Sequence, residues 1–196
     1  MQSARTSIGE VAVDVWGRTF MFRPFFYRLE NLGTPKEIFD VFNAAQVPDE
    51  DGFIAAWRVL SAFSDEENID NLIGYFYYCE KLRKLRYVRG KMPIKDIHAI
   101  GAAMIRDAII GRPTQFEKAK AGGERPATEF NPAEFVAIGD AHFQGIDWWK
   151  KTMIELQQAI RAKNGPSKEE RAWMSADELD ALYAATGKKE VLANGK

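Results

Sequence analysis

Reactive side chains are scarce in this sequence. A single cysteine, Cys79, excludes an internal disulfide and suits a reducing compartment. The only two histidines, His98 and His142, sit far apart and in no metal-ligand spacing. Glycine-rich phosphate loops, dinucleotide fingerprints and zinc-type cysteine pairs are all missing. Lys+Arg of 27 against Asp+Glu of 28 leaves a formal charge of -1, so no general attraction to nucleic acid or anionic lipid is expected. No stretch approaches the ~20 continuous apolar residues of a membrane span, and Met1–Thr6 carries no apolar segment of a signal peptide. The expectation is a non-membrane protein of the cytoplasm, without cofactor, metal or catalytic residues.

Apolar and aromatic side chains are plentiful. At 46% and 12% of 196 residues they suffice to build a core. Val11, Val13 and Val15 alternate with Ala12, Asp14 and Trp16, the period of a half-buried strand. Gly17-Arg18 turns the chain, and Thr19–Phe22 returns as a second strand. Phe25–Leu32 reads as a short helix closed by Gly33. Thr34-Pro-Lys-Glu37 is a helix start with a capping box and a proline at its first position. Ile38, Val41, Phe42 and Ala45 follow at helical spacing. A third helix starts near Asp49–Asp51 and carries Phe53, Trp57, Leu60 and Phe63. Leu72, Ile73, Phe76 and Cys79 share one helical face, which predicts a fourth helix running through the basic stretch Lys81–Arg86 to Gly90. Ile97, Gly101, Met104, Ile105 and Ala108 form the stripe of another helix, stopped at Gly111-Arg-Pro113.

Beyond it, residues 113–129 are small, charged and proline-containing, the composition of a flexible linker. Asn131-Pro-Ala-Glu134 then opens a helix, and Thr152-Met-Ile-Glu155 is a second capping box. Ser167-Lys-Glu-Glu170 and Ser175-Ala-Asp-Glu178 read as two further helix starts, with frayed residues after 186. The expected fold is mainly α (α+β): residues 1–112 a β-hairpin packed on a helical bundle, 113–129 a linker, 130–186 a small helical unit, 187–196 a frayed tail.

Chemistry has little to work with. Cys79 shares a face with Leu72 and Phe76, so a buried inert thiol is expected. The acids Asp49-Glu-Asp51 and Asp65-Glu-Glu67 stand where helix starts favour negative charge. The segment 81–95 concentrates Lys81, Arg83, Lys84, Arg86, Arg89, Lys91 and Lys95. Read as a basic helix, it is the only local charge asymmetry able to meet nucleic acid or an acidic protein. Of Trp148 and Trp149, one is expected to pack against Phe135 and Leu156. The other would stay on the surface as an anchor for a partner.

Several segments together resemble a known family. The hairpin followed by Phe22-Arg-Pro24, the helix opened by Gly33-Thr-Pro-Lys-Glu-Ile38, and Gly90-Lys-Met-Pro-Ile-Lys-Asp-Ile-His-Ala-Ile-Gly101 ending at Ile109-Ile-Gly111 resemble the start of tail assembly chaperones of long-tailed bacteriophages. Phe130-Asn-Pro-Ala-Glu134, Ala141-His-Phe143, Trp148-Trp149 and Thr152-Met-Ile-Glu155 are similar to the downstream portion of the lambda-type members. The resemblance implies both portions in one chain and a non-enzymatic factor of the host cytoplasm, absent from the finished virion. Its upstream unit would bind the tape measure protein. Its downstream unit, around Trp148, Trp149 and Met153, would recruit tail tube protein. Apart from the resemblance, Arg83 and Arg86 of the basic segment are further partner-binding candidates. The open hairpin edges leave room for a homo-oligomer. The alternative is a nucleic-acid-binding regulator using the basic segment 81–95.

Overall fold

A computed structural model describes residues 4–112 and 128–165. The expected linker 113–129 lies almost wholly outside these residues, as do both helices predicted after Ser167 and the tail 187–196. What is described is mainly helical, with two small antiparallel hairpins.

Strands β1 (Val11–Val15) and β2 (Arg18–Phe22) pair antiparallel, Val11 opposite Phe22 and Val15 opposite Arg18. The turn is Trp16-Gly17, one residue earlier than the sequence suggested, and both residues have positive φ, 50° and 77°. That geometry matches the right-handed twist of the strands, and it normally selects Asn-Gly or Gly-Gly rather than tryptophan. Phe20 to Phe22 are all buried, and Phe20 and Phe22 join the core. Its outer edge is sealed: Arg23 N donates to Phe63 O at 2.8 Å and Asp65 N to Met21 O at 3.0 Å.

Helix α1 (Phe26–Leu29) runs on into a 3₁₀ turn at Glu30–Leu32. Helices α2 (Pro35–Ala45) and α3 (Glu50–Phe63) begin as their sequences dictate. Thr34 Oγ1 accepts from Glu37 N while Glu37 Oε2 accepts from Thr34 N at 2.7 Å, and Asp49 Oδ1 accepts from Gly52 N at 2.8 Å. Helix α5 (Ile94–Ile109) lies against α3 with Ile97, Met104, Ile105 and Ala108 buried. The approach is close because Gly101 has no side chain: a Cβ there would stand 2.5 Å from Ala56 O.

The long fourth helix does not form. Only Asp70–Ile73 is helical (α4), and the chain then makes a second hairpin, β3 (Tyr75–Cys79) and β4 (Lys84–Val88). Gly74, at φ 75°, ends the helix, and a Cβ there would stand 2.2 Å from Val88 O. The run Tyr-Phe-Tyr-Tyr-Cys and the facing Tyr87-Val88 are strong β-formers. Local β preference and pairing therefore override an apolar spacing that also fits a helix. The basic segment 81–95 is thus a turn, a strand, a loop and the first residues of α5, not a helix.

Helix α6 (Pro132–His142), capped by Asn131, and helix α7 (Met153–Asn164), opened by the Thr152–Glu155 capping box, flank a 3₁₀ turn at Trp148–Lys150. Their buried residues Phe130, Val136, Trp148, Met153 and Leu156 join Phe22, Phe26 and Ile105 in one core. Phe26 N donates to Lys151 O at 3.0 Å, and Phe130 N to Pro35 O at 3.0 Å. Residues 130–164 accordingly pack on α1 and α5 rather than standing apart.

Candidate docking surface

Hairpin β3–β4 is fastened at its root and bare beyond it. On one face, Phe76 and Tyr87, opposite each other in register, meet α3 edge-on: Phe53–Tyr87 centroids are 4.9 Å apart and Trp57–Phe76 5.1 Å. Trp57 Nε1 donates to Gly74 O at 3.0 Å, and Tyr87 Oη to Ile73 O at 2.6 Å. Burial pushes the Tyr87 phenol up, which keeps its proton in place for that bond. Met92 N donates to Leu72 O, tying the chain down after β4.

Further along the same face, Tyr78 and Leu85 face each other and are 60% and 53% exposed. The other face carries Tyr75, Tyr77 and Val88, all exposed, with Arg86 directly opposite Tyr77. Leu82, in the connecting turn, is 52% exposed. Trp16, at the tip of β1–β2, is 84% exposed, and Lys91 Nζ lies 3.8 Å from its ring centroid, so this indole sits near the foot of the second hairpin. A bulky non-glycine residue held at φ 50° while exposed to solvent is an unfavourable local choice that core packing does not explain. Each large apolar side chain left in water forgoes about 1.5–3 kcal/mol of burial. Such a gathering of exposed apolar side chains on one hairpin makes it the candidate docking surface.

The charge is equally one-sided. From Gly74 to Lys91 the chain has Lys81, Arg83, Lys84, Arg86, Arg89 and Lys91 against Glu80 alone, +5 in a chain of formal charge -1. Arg83 lies in the turn at φ 48° and Arg86 on β4, both exposed. The two arginines foreseen as contacts therefore share this surface.

The tryptophan pair does not. Trp148 is 2% exposed and Met153 3%, so neither meets a partner in this conformation, and Trp149 is half-buried against the core. The cause is Gly139: a Cβ there would stand 2.5 Å from the Trp148 ring, so α6 leaves a slot the indole fills. Its ring also contacts Phe143, 5.5 Å between centroids, while its Nε1 finds no acceptor among the described residues.

The remaining candidates for chemistry stay scattered. Cys79 is half-buried rather than buried, across the ladder from Lys84. His98 Nε2 lies 3.0 Å from Val47 O, and His142 Nδ1 lies 3.4 Å from Lys163 Nζ. Glu10, 2% exposed, is bound by Arg5 and Arg23. Burial pushes its carboxyl up, but hydrogen bonds from the Arg5 side chain and backbone, with the charges of Arg5 and Arg23, outweigh this and hold it below the usual range. A groove of about 300 Å³ between α2 and α3 offers Glu37, Asp40, Asp51 and Arg58, with neither nucleophile nor histidine. Among the described residues no cluster of three His, Cys, Asp or Glu could hold a metal, and no helix is long and apolar enough to cross a membrane.

The missed part of the surface is its aromatic half. The signal was the run Tyr75-Phe-Tyr-Tyr78 between Gly74 and Gly90, too aromatic for an ordinary surface helix.

The chain belongs to a family of unknown function, DUF6246, whose model matches residues 44–181. That span contains the whole of the second hairpin. No curated protein and no solved structure matches the chain.

Proposed function

Within that family, we propose that this chain is a tail assembly chaperone of long-tailed bacteriophages. It is a non-enzymatic factor of the host cytoplasm that covers the tape measure protein, brings tail tube subunits to it, and leaves before the virion is complete. The reading is supported by the family-like segments in the sequence and, above all, by hairpin β3–β4, whose root is locked to α3 while Tyr77, Tyr78, Leu82 and Leu85 remain in water.

The physics suits a chaperone. Burying three or four such side chains contributes about 1.5–3 kcal/mol each against the cost of association, so a single contact stays weak. Weak contacts repeated along a long client gain strength from effective concentration. They also release when a tube subunit competes for the same client.

Co-expression with the tape measure protein from the same phage tests the proposal. The expected result is a client kept soluble and recovered with the chaperone; a client equally insoluble with and without it contradicts the reading.

A second reading has one observation in its favour. Tyr75 and Tyr77 share a strand face with Lys84 and Arg86, the pairing of stacking rings and cations that single-stranded nucleic acid uses. It requires binding that falls steeply with salt and disappears when Arg83, Lys84 and Arg86 are neutralised. Unchanged mobility of an oligonucleotide at low salt dismisses it.

A further inference from the structure

We infer that the free edge of β4 receives an acidic, extended segment of the partner protein as a third strand. This rests on the chaperone reading for the identity of the partner, and on the hairpin itself for the partner's chemistry. Among the described residues the sheet has two strands only, and no backbone hydrogen bond joins Lys84–Val88 to anything except β3. Its outward N–H and C=O groups are therefore open to an added strand, a common mode of peptide capture. By contrast the outer edge of β2 is closed by Phe63 and Asp65.

Charge decides which strand is admitted. Lys84 and Arg86 lie along this edge with Arg83 and Arg89 at its ends, and among the described residues none of the four has an ion-pair partner. Cations on an exposed edge repel basic strands and are costly to bury against neutral ones, which prevents uncontrolled pairing. The same cations stabilise an incoming strand whose cross-strand neighbours are carboxylates. Alternation does the rest. Lys84 and Arg86 point to one face, whereas Leu85 and Tyr87 point to the other. The complementary segment therefore alternates acidic and apolar residues. The exposed aliphatic side chains Leu82, Leu85 and Val88 favour a protein over nucleic acid, since they offer no ring for a base to stack on.

The full chain is titrated against a fluorescent peptide of alternating glutamate and valine, about ten residues long, enough to span a typical strand of roughly 5–6 residues. A matched lysine–valine peptide and oligo(dT) serve as competitors. The expected result is binding of the acidic peptide at least about tenfold tighter than of the basic one, weakening with salt. Backbone amides of Lys84–Val88 slow in hydrogen exchange on binding. Lys84→Glu with Arg86→Glu inverts the preference, and Lys84→Gln with Arg86→Gln abolishes it, both at unchanged melting temperature.

Equal affinity for both peptides overturns the inference, as does a preference indifferent to the reversal or tighter binding of oligo(dT). Self-association of the chain that Lys84→Glu with Arg86→Glu dissolves would assign the edge to a second copy and overturn it as well. Failure here is separable from failure of the chaperone reading. A client kept soluble by the charge-reversed variant leaves the chaperone standing without its basic edge. A bound acidic peptide with an insoluble client leaves the edge standing without the chaperone.

Discussion

In β1–β2 the return strand buries Phe20, Met21 and Phe22 and closes its outer edge against Phe63 and Asp65, while β3–β4, with strands of the same length, leaves Tyr77, Tyr78 and Leu85 in solvent and, among the described residues, the outer edge of β4 without a backbone partner. The first hairpin is held further by charge. Arg23 pairs with Glu10 and Asp65, and Arg28 with Asp65, so the end of β2 is bolted to the chain after α3. Among the described residues the second is held at its root, through Phe76, Tyr87 and the bonds to Gly74 and Ile73. Equal length and opposite burial separate two jobs: one hairpin completes the fold, the other is carried by it.

Substitutions in the two hairpins should then differ sharply. The largest effect is expected for Phe22→Ala. The ring is fully buried, and its loss should cost about 3–5 kcal/mol, much of the stability of a small domain, read as a lowered urea midpoint. The acid bolt comes next. Glu10 has its pKa held below the usual 4.5, so the stability it contributes is present above that value and is lost as pH falls through the lower value of the folded state. Thermal melts of wild type should show a steeper loss in acid than those of Glu10→Gln; parallel curves would detach Glu10 from the fold. Smaller still is the cap of α7. Thr152→Ala removes the acceptor for Glu155 N at 3.2 Å and should lower stability by about 1 kcal/mol in denaturant melts.

Much of the first hairpin and of the helical frame was legible because local rules and tertiary needs agree there. The Thr34 and Thr152 boxes, the Asp49 and Asn131 caps and the Ile97–Ala108 stripe each specify a helix by themselves. The second hairpin was not legible by spacing. Leu72, Ile73, Phe76 and Cys79 fit a helical face, yet the chain leaves the helix after Ile73, and the fit of Gly74 against Val88 that ends it is a tertiary fact. Which indole of the pair is buried was not legible for a related reason, because the slot that receives Trp148 exists only where Gly139 faces it. Arg83 and Arg86 did fall on the candidate surface, since a solvated charge run stays exposed in a helix or a strand. Their aromatic neighbours were lost with the helix assignment.

The smallest expected effect on stability is also the most telling. Tyr78 and Leu85, paired across the exposed part of the hairpin, are replaced together by serine, and both the melting temperature and the solubility of co-expressed tape measure protein are measured. The melting temperature should stay close to wild type, within about 0.5 kcal/mol in stability as for other surface changes, while the client precipitates. A destabilised chain that still keeps its client soluble would contradict the account.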